Sequence, residues 1–170
     1  MNDFITIIKI IPVKNEVKNV EPLAKEIIKK CSSITFEIIF INDGSQDGTE
    51  KELINLTKKY KNLRLISHNK SYGQSAAIKT GILHSQNNII VTMDGDCQND
   101  PSDIPKMIRK FNEENNNLLF IGGVRKNRKD NFAKRFASKI GRICRRWFLN
   151  DQHPDSGCGI RLFHKKLFYL

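Results

Sequence analysis

The sequence predicts an α/β fold with a mostly parallel sheet flanked by helices. Short apolar runs alternate with segments whose apolar residues repeat at helical spacing, and the connections between them are short. The chain of 170 residues is long enough for one domain with a real core and too short for two, so we expect a single domain over residues 1–170. A hydrophobic fraction of 39% agrees with a globular protein.

The first half of the chain predicts three strands, each followed by a helix. The opening run, residues 1–12, contains an acid and a lysine and has no small-residue cleavage site, which favours a strand over a signal peptide. The two further strands are residues 36–41 and 63–66. The helices carry apolar residues from Val20 to Cys31, at Leu53, Leu56 and Tyr60, and between Gly73 and His84.

The second half continues the alternation. It predicts a short buried strand at Ile89, Ile90 and Val91, a helix that opens at Pro101, and a strand over residues 118–121. A long helix over residues 132–149 follows, in which Lys and Arg flank an apolar stripe that includes Trp147 and Phe148. No apolar stretch approaches the 18 residues typical of a membrane span.

Two acidic residues, Asp94 and Asp96, follow the strand at Ile89 and form the most informative motif. They should emerge at its carboxyl end, the edge at which open α/β sheets bind ligands. An isolated Asp-x-Asp is more often a solvated turn, but its position after a buried strand favours a metal site. Hard oxygen ligands of this kind suit Mg²⁺ or Mn²⁺, which completes its shell with water and substrate phosphate.

The other predicted strands also end in polar residues. Asp43 follows the second strand, where a carboxylate can accept hydrogen bonds from a nucleobase or ribose, although Asp47 or Thr49 in the same loop could simply cap the next helix. The loop from Ser67 to Ala77 opens a helix whose free N–H groups favour an anion, but it lacks the Walker spacing. Residues 12–16, an ordinary strand-to-helix turn after the first strand, face the same edge, so four strand ends converge there.

The net charge of +11 is concentrated in one segment. Residues 125–146 hold ten Lys or Arg and one acidic residue, whereas residues 1–124 are nearly neutral. A neutral body with one basic patch indicates a localised anionic partner such as lipid phosphate, pyrophosphate or RNA. The four cysteines show no C-x-x-C pair, so neither a zinc site nor a disulfide framework is indicated, which favours a reducing cytosol.

These motifs carry a family resemblance over essentially the whole chain. Residues 12–16 (PVKNE), 42–45 (NDGS), 68–77 and 93–101 occur in the order and spacing of the family 2 inverting glycosyltransferases, which the chain resembles. The later segments are similar to the polyprenyl-phosphate branch, that is, to dolichyl-phosphate mannose synthases and bacterial undecaprenyl-phosphate sugar transferases. They are Gly123-Val-Arg125, Arg128, residues 134–138 and residues 155–161.

The resemblance implies a GT-A (Rossmann-like) fold and a role for each motif. It implies nucleotide-sugar binding by Pro12, Val13, Asn15, Glu16, Asp43, Ser45, Asn69, Gly73, Gln74, Ala76, Asp94 and Gly95. It implies metal binding by Asp94, Asp96 and Gln98, and catalytic roles for Asp94, Asp96 and Asp155, although Asp155 could equally be an N-cap or turn residue. It implies an acceptor phosphate held by Arg125, Arg128, Lys134, Arg135 and Ser138.

The function implied is metal-dependent transfer of a sugar, with inversion, from a nucleoside-diphosphate sugar (UDP or GDP) to a polyprenyl phosphate. The basic amphipathic segment 125–149 would face the acceptor and an anionic membrane surface, which places the protein in the cytoplasm, peripherally on the inner face of the membrane. The alternative to an acceptor or membrane role is that segment 125–149 is an ordinary solvent-exposed helix face. Members of this branch usually continue well past the Gly-Ile-Arg-Leu-Phe motif, so we expect a C-terminal truncation.

Two other functions stay open at this point. A family 2 transferase that acts on a glycan or protein hydroxyl would tolerate loss of the basic patch and would depend on a carboxylate base. An inactive truncated fragment could serve as a basic membrane- or RNA-binding module, which would bind without divalent metal. The favoured function requires no nucleic acid.

Overall fold

The computed structural model describes residues 7–113, 120–123 and 158–170, and its elements confirm the predicted α/β fold. The strands are β1 (Ile7–Val13), β2 (Phe36–Asn42), β3 (Leu63–Ser67), β4 (Ile89–Thr92), β5 (Phe120–Gly122) and β6 (Arg161–His164). The helices are α1 (Val20–Lys30), α2 (Thr49–Lys59), α3 (Gln74–His84), α4 (Asp103–Glu113) and a 3₁₀ helix at Lys165–Tyr169. All lie in one compact unit, residues 1–122 with 159–170; the other unit, residues 123–158, falls almost wholly outside the described residues.

The strands form one sheet in the order β3-β2-β1-β4-β6-β5. β1 pairs in parallel with β2 on one side and with β4 on the other, and β3 extends the parallel part beyond β2. The chain therefore winds outward from β1 in one direction and then reverses to add β4. In open α/β sheets such a reversal leaves a crevice at the carboxyl ends of the two strands, here β1 and β4.

The centre of the sheet is apolar on both faces. In β1, the side chains of Ile7, Ile8, Ile10 and Ile11 have no exposed surface. A parallel strand that helices cover on both sides reads as a continuous run of branched apolar residues, because neither face meets water. This explains why residues 7–11 form a strand without polar alternation, with Lys9 as the single polar exception.

Helix α3 packs unusually close to the sheet. At Gly81 an added Cβ would collide with the side chain of Ile10, so a larger residue would push the helix away. Ala77 is the other small residue that α3 buries in this contact, within a cluster that includes Ile8, Ile39 and Ile90. The close packing fixes the start of α3, at Gln74, beside the crevice.

The last two strands depart from the parallel pattern. β6 runs antiparallel to both β4 and β5, with Thr92 paired to Arg161 and Ile89 to His164. The sequence motifs did not predict β6 as a strand, since residues 155–161 were interpreted only as a functional motif. The predicted strand over 118–121 is observed as β5 from residue 120, and residues 118 and 119 lie outside the described residues.

One predicted helix begins later than expected, and another lies outside the described residues. The helix expected to open at Pro101 begins at Asp103, because Pro101 and Ser102 form a turn. The predicted helix over residues 132–149 lies outside the described residues. In the part of the chain that the structure describes, no helix is both long enough and apolar enough to cross a bilayer.

Lys9 is buried in the middle of β1. Its side chain has no exposed surface. Within the described part of the chain its ammonium nitrogen has no hydrogen-bond partner, but it lies 3.4 Å from the centre of the Phe36 ring. Burial lowers the pKa of Lys9 from 10.5 to about 8, and the neighbouring Cys31 sulfur offsets part of that effect. The charged form of Lys9 therefore destabilises the fold at neutral pH.

We expect Lys9→Met to raise the free energy of unfolding at pH 7 by about 1–3 kcal/mol, because a methionine fills the same space without a buried charge. The folded pKa lies below the unfolded one, so the wild-type chain gains stability as the pH rises from about 8 to 10.5. In denaturant titrations, the difference in free energy of unfolding between Lys9→Met and wild type should therefore shrink as the pH rises from about 8 to 10.5. Lys51→Met, at an exposed position in α2, is the control; a wild-type chain more stable than Lys9→Met at pH 7 would contradict the expectation.

Candidate active site

The carboxyl ends of β1 to β4 border two neighbouring cavities, as the sequence predicts. The smaller cavity, of about 440 Å³, lies at the crevice between β1 and β4 and contains most of the residues expected to bind the donor. Those residues are Pro12, Val13, Glu16, Asp43, Gly73, Gln74, Asp94, Gly95 and Asp96. The larger cavity, of about 680 Å³, takes in three more of them, Asn15, Ser45 and Asn69.

Two predicted residues line neither cavity. Ala76 is half-buried in the first turn of α3. The side chain of Gln98 is exposed, and its backbone N–H donates to Oδ1 of Asp96 at 3.1 Å. The described geometry thus gives Gln98 a supporting contact to Asp96, and its role as a metal ligand stays a prediction.

The acidic pair is held by contacts from three parts of the chain. Oδ1 of Asp94 accepts a hydrogen bond from Nε2 of Gln74 at 2.7 Å. Gly159, just before β6, lies so close to the Asp94 carboxylate that a side chain there would collide with it. A Cβ on Gly95 would come within 2.5 Å of Val13 and 3.1 Å of the Pro12 carbonyl oxygen. Small residues therefore let the acidic pair pack directly against the end of β1.

The donor set at this edge fits a hard divalent cation. Asp94 and Asp96 both line the smaller cavity and offer carboxylate oxygens to it. Over residues 7–113, 120–123 and 158–170, no group of three His, Cys, Asp or Glu side chains is placed to share an ion. One or two carboxylates are the protein share that Mg²⁺ commonly takes when phosphate oxygens and water supply the rest. The pair therefore suits a metal that arrives with a phosphorylated ligand.

The side chain of Asp43 accepts four hydrogen bonds. Its Oδ1 accepts from Nδ1 of His68 at 2.8 Å and from the backbone N–H of Tyr72 at 2.9 Å. Its Oδ2 accepts from Oγ of Ser71 at 2.7 Å and from the backbone N–H of Gly73 at 2.9 Å. These bonds use both oxygens of a carboxylate that is only 4% exposed. Asp43 therefore organises the loop from residue 68 to 73.

The pKa of Asp43 reflects these contacts. Burial alone would raise the pKa of the carboxyl, but the hydrogen bonds from Tyr72, Ser71, His68 and Gly73 stabilise the carboxylate and hold its pKa well below the ordinary 3.8. The group is therefore charged throughout the physiological range. Its role as a contact to a nucleobase stays a prediction.

His68 connects Asp43 to helix α3. With Nδ1 as the donor to Asp43, its Nε2 accepts from Oγ1 of Thr80 at 2.9 Å, and its ring meets Tyr72 edge to face. His68 lies within the motif of residues 68–77, and the sequence alone predicts no role for it. The signal that could have found it is a histidine directly after a strand, opposite an acid that ends the neighbouring strand.

The loops after β1 and β2 hold each other. Asn15, in a left-handed conformation, donates from its N–H to Oγ of Ser45 at 2.9 Å and accepts from the N–H of Gln46 at 2.8 Å. The N–H of Glu16 donates to Oγ1 of Thr49 at 2.8 Å. Asp47 accepts from the N–H of Thr49 at 3.0 Å, although the residue that caps α2 is Gly48. These hydrogen bonds hold Asn15, Ser45 and Gln46, which line the larger cavity, in fixed positions.

The remaining predicted site residues lie outside the described residues. They are Arg125, Arg128, Lys134, Arg135, Ser138 and Asp155. Their roles toward an acceptor stay predictions.

The described residues form an open α/β sheet with an acidic pair at its switch point, beside two cavities. The sequence model of "Glycosyl transferase family 2" matches residues 9–169. The chain belongs to this family. It is 31% identical over 161 residues to the undecaprenyl-phosphate 4-deoxy-4-formamido-L-arabinose transferase of Salmonella choleraesuis (strain SC-B67), an alignment that covers 93% of this chain. The chain spans about half, 48%, of that relative.

Solved structures share the fold. Glucosyl-3-phosphoglycerate synthase from Mycobacterium tuberculosis, in complex with Mn²⁺, UDP-glucose and phosphoglyceric acid, superposes with a TM-score of 0.72 at 16% identity over 95% of this chain and 57% of that one. The mannosyltransferase PcManGT from Pyrobaculum calidifontis, in complex with GDP-mannose and Mn²⁺, gives 0.60 at 17% identity over 72% of this chain and 36% of that one. Both comparisons confirm the GT-A fold expected from the sequence.

Proposed function

We propose that this chain binds a nucleoside-diphosphate sugar and belongs to an enzyme that transfers the sugar, with inversion, to a polyprenyl phosphate. The observation that carries the proposal is the pair of neighbouring cavities at the switch point, with Asp94 and Asp96 on the smaller one. The name of the relative at 31% identity supports the acceptor class. The ligands of the two solved structures support a nucleotide-sugar donor and a divalent cation.

The base and ribose would occupy the larger cavity and the diphosphate the smaller one. Asn15 and Ser45 offer polar groups to the first, and the backbone around Gly73 lies at the second. Asp94 and Asp96 would hold Mg²⁺ or Mn²⁺, which supplies Lewis-acid stabilisation of the leaving diphosphate. Gln74 would keep the Asp94 carboxylate oriented, since it already donates to it.

A lipid phosphate is an oxyanion at neutral pH, so attack on the sugar carbon needs positioning more than a strong base. Arg125, Arg128, Lys134, Arg135 and Ser138 are the residues we propose for that positioning. Segment 125–149, with ten basic residues among 125–146, would also contact an anionic membrane surface from the cytoplasmic side. Asp155 is the candidate base if the acceptor is instead a hydroxyl group.

The donor half of the proposal is tested by thermal unfolding with UDP- and GDP-sugars, each with and without Mn²⁺. A ligand that binds the folded state raises its apparent stability, so we expect a rise for one nucleotide class that needs Mn²⁺. An inactive basic module would show no such rise. A rise with anionic vesicles alone would favour that module.

The acceptor half is tested by Arg125→Ala and Arg135→Ala in a protein extended to the length of its curated relatives. Charge-assisted hydrogen bonds to a phosphate should make each change lower turnover on a polyprenyl phosphate by roughly 10- to 100-fold while leaving donor affinity unchanged. Lys139→Ala is the control, since a headgroup contact should affect vesicle binding alone and vanish with salt. Wild-type turnover in both arginine variants at saturating donor would favour a hydroxyl acceptor.

A further inference from the structure

Lys14 stands at the junction of the two cavities. It lines both of them, and the other residue that does so is Ser71. Lys14 follows β1, and its side chain is exposed. The sequence alone predicts no role for Lys14, although it lies within the motif of residues 12–16.

Lys14 lies among negatively charged side chains in the smaller cavity. The smaller cavity is lined by four carboxylates, those of Glu16, Asp43, Asp94 and Asp96, and Lys14 is the one basic residue among the described residues that line it. A diphosphate that enters this cavity meets strong repulsion unless positive charge is near. A divalent ion on Asp94 and Asp96 would offset part of that repulsion at one end, and among the described lining residues Lys14 supplies a cation at the other.

The hydrogen bonds of Lys14 hold it at this junction. Its Nζ donates to Oγ of Ser71 at 3.1 Å, and that hydroxyl in turn donates to Oδ2 of Asp43 at 2.7 Å. An ammonium group has three N–H donors, of which Ser71 takes one. Lys14 is thus tethered through Ser71 to a buried carboxylate and keeps donor capacity for a ligand.

We propose that Lys14 binds the phosphate next to the ribose of the nucleoside diphosphate and so makes binding depend on that phosphate. This inference rests on the proposed function. If the base lies in the larger cavity and the diphosphate in the smaller, the atoms that join them pass the junction lined by Lys14 and Ser71. The competing role is purely local, in which Lys14 only supports the loop of residues 68–73 through Ser71.

The experiment compares Lys14→Gln and Lys14→Arg with wild type in the presence of Mn²⁺. Affinities for UDP, GDP, uridine and guanosine are measured by ligand-observed NMR competition, and unfolding of the ligand-free proteins is followed in parallel. We expect Lys14→Gln to weaken binding of the preferred diphosphate by roughly 10- to 100-fold, the usual effect of a lost charged hydrogen bond. Its nucleoside affinity should change less than about threefold, within the range of a neutral polar contact. Lys14→Arg should recover most of the loss.

Lys18→Gln, at an exposed lysine in the turn before α1, is the matched control and should bind as wild type does. Equal losses for nucleoside and diphosphate in Lys14→Gln, or a lowered unfolding temperature that accounts for the loss, would assign Lys14 the local role and overturn the inference. Unchanged diphosphate affinity would overturn it as well. If the wild type binds neither nucleotide class with Mn²⁺, the donor half of the proposed function fails, and this inference fails with it.

Discussion

Asp96→Asn is expected to abolish sugar transfer and most Mn²⁺-dependent nucleotide binding while leaving thermal stability nearly unchanged. Asparagine keeps the size of the side chain and one acceptor oxygen for the N–H of Gln98, so the local turn survives. It removes one of two negative charges from a cavity edge where a divalent cation would bind. Metal ions stabilise charge in the transition state by several kcal/mol, so turnover should fall by roughly 100-fold or more.

Nucleotide affinity of this chain is measured by titration with and without Mn²⁺, and turnover is measured in the protein extended to the length of its relatives. Glu26→Gln, on the exposed face of α1, carries the same loss of charge away from the cavities. It should bind and turn over like wild type. Full turnover in Asp96→Asn would rule out the metal role of Asp96.

Asp43→Asn is expected to lower the free energy of unfolding at pH 7 by about 2–4 kcal/mol, even without ligand. An asparagine amide cannot accept at both positions, so at least two of the partly buried hydrogen bonds from His68, Ser71, Tyr72 and Gly73 to residue 43 are lost. The loop of residues 68–73 should become sensitive to proteases. Nucleotide binding should weaken with it, because that loop lines both cavities.

The pH dependence gives an independent measure of Asp43. Its folded pKa is lowered below 3.8, so the carboxylate contributes stability in full above that pH, and the contribution is lost as the pH falls below it. Asp43→Asn should therefore show a shallower loss of stability in acid than wild type. Asp103→Asn, at an exposed acid of α4 paired with Lys106, is the control and should change little. Unchanged stability in Asp43→Asn would leave Asp43 with a ligand-binding role alone.

The parallel half of the fold could be predicted because each element has a local signal. The apolar run of β1 and the helical spacing of α1 depend on neighbours in sequence, and their positions agree with the prediction. The convergence of Asp43 and Asp94 could also be predicted, since carboxyl ends of parallel strands share one edge. β6 had weaker signals, because a four-residue strand paired to β4 is specified by contacts across about 70 residues of chain.

The bonding within the site could not be predicted. The sequence predicted that the Asp43 carboxylate accepts hydrogen bonds from a nucleobase or ribose, and it held no sign that both oxygens accept bonds from a loop about 28 residues later. The hydrogen bond between Gln74 and Asp94 and the contact between Gly159 and Asp94 depend on side-chain geometry that no spacing rule contains. The role proposed for Lys14 could not be predicted for the same reason, because the sequence does not show that Lys14 lines two neighbouring cavities.

The position of β6 has a consequence for how the protein is made. β4 can pair with β1 once residue 92 has emerged from the ribosome, but its other edge waits for residues 161–164. At about 5–20 residues per second, the ribosome needs roughly 3–14 s to reach them. During that interval the nascent chain carries an apolar strand, Ile89–Thr92, with one unpaired edge, which is a template for association with other chains. Chaperone contact with the growing polypeptide should therefore be strongest between the synthesis of β4 and that of β6.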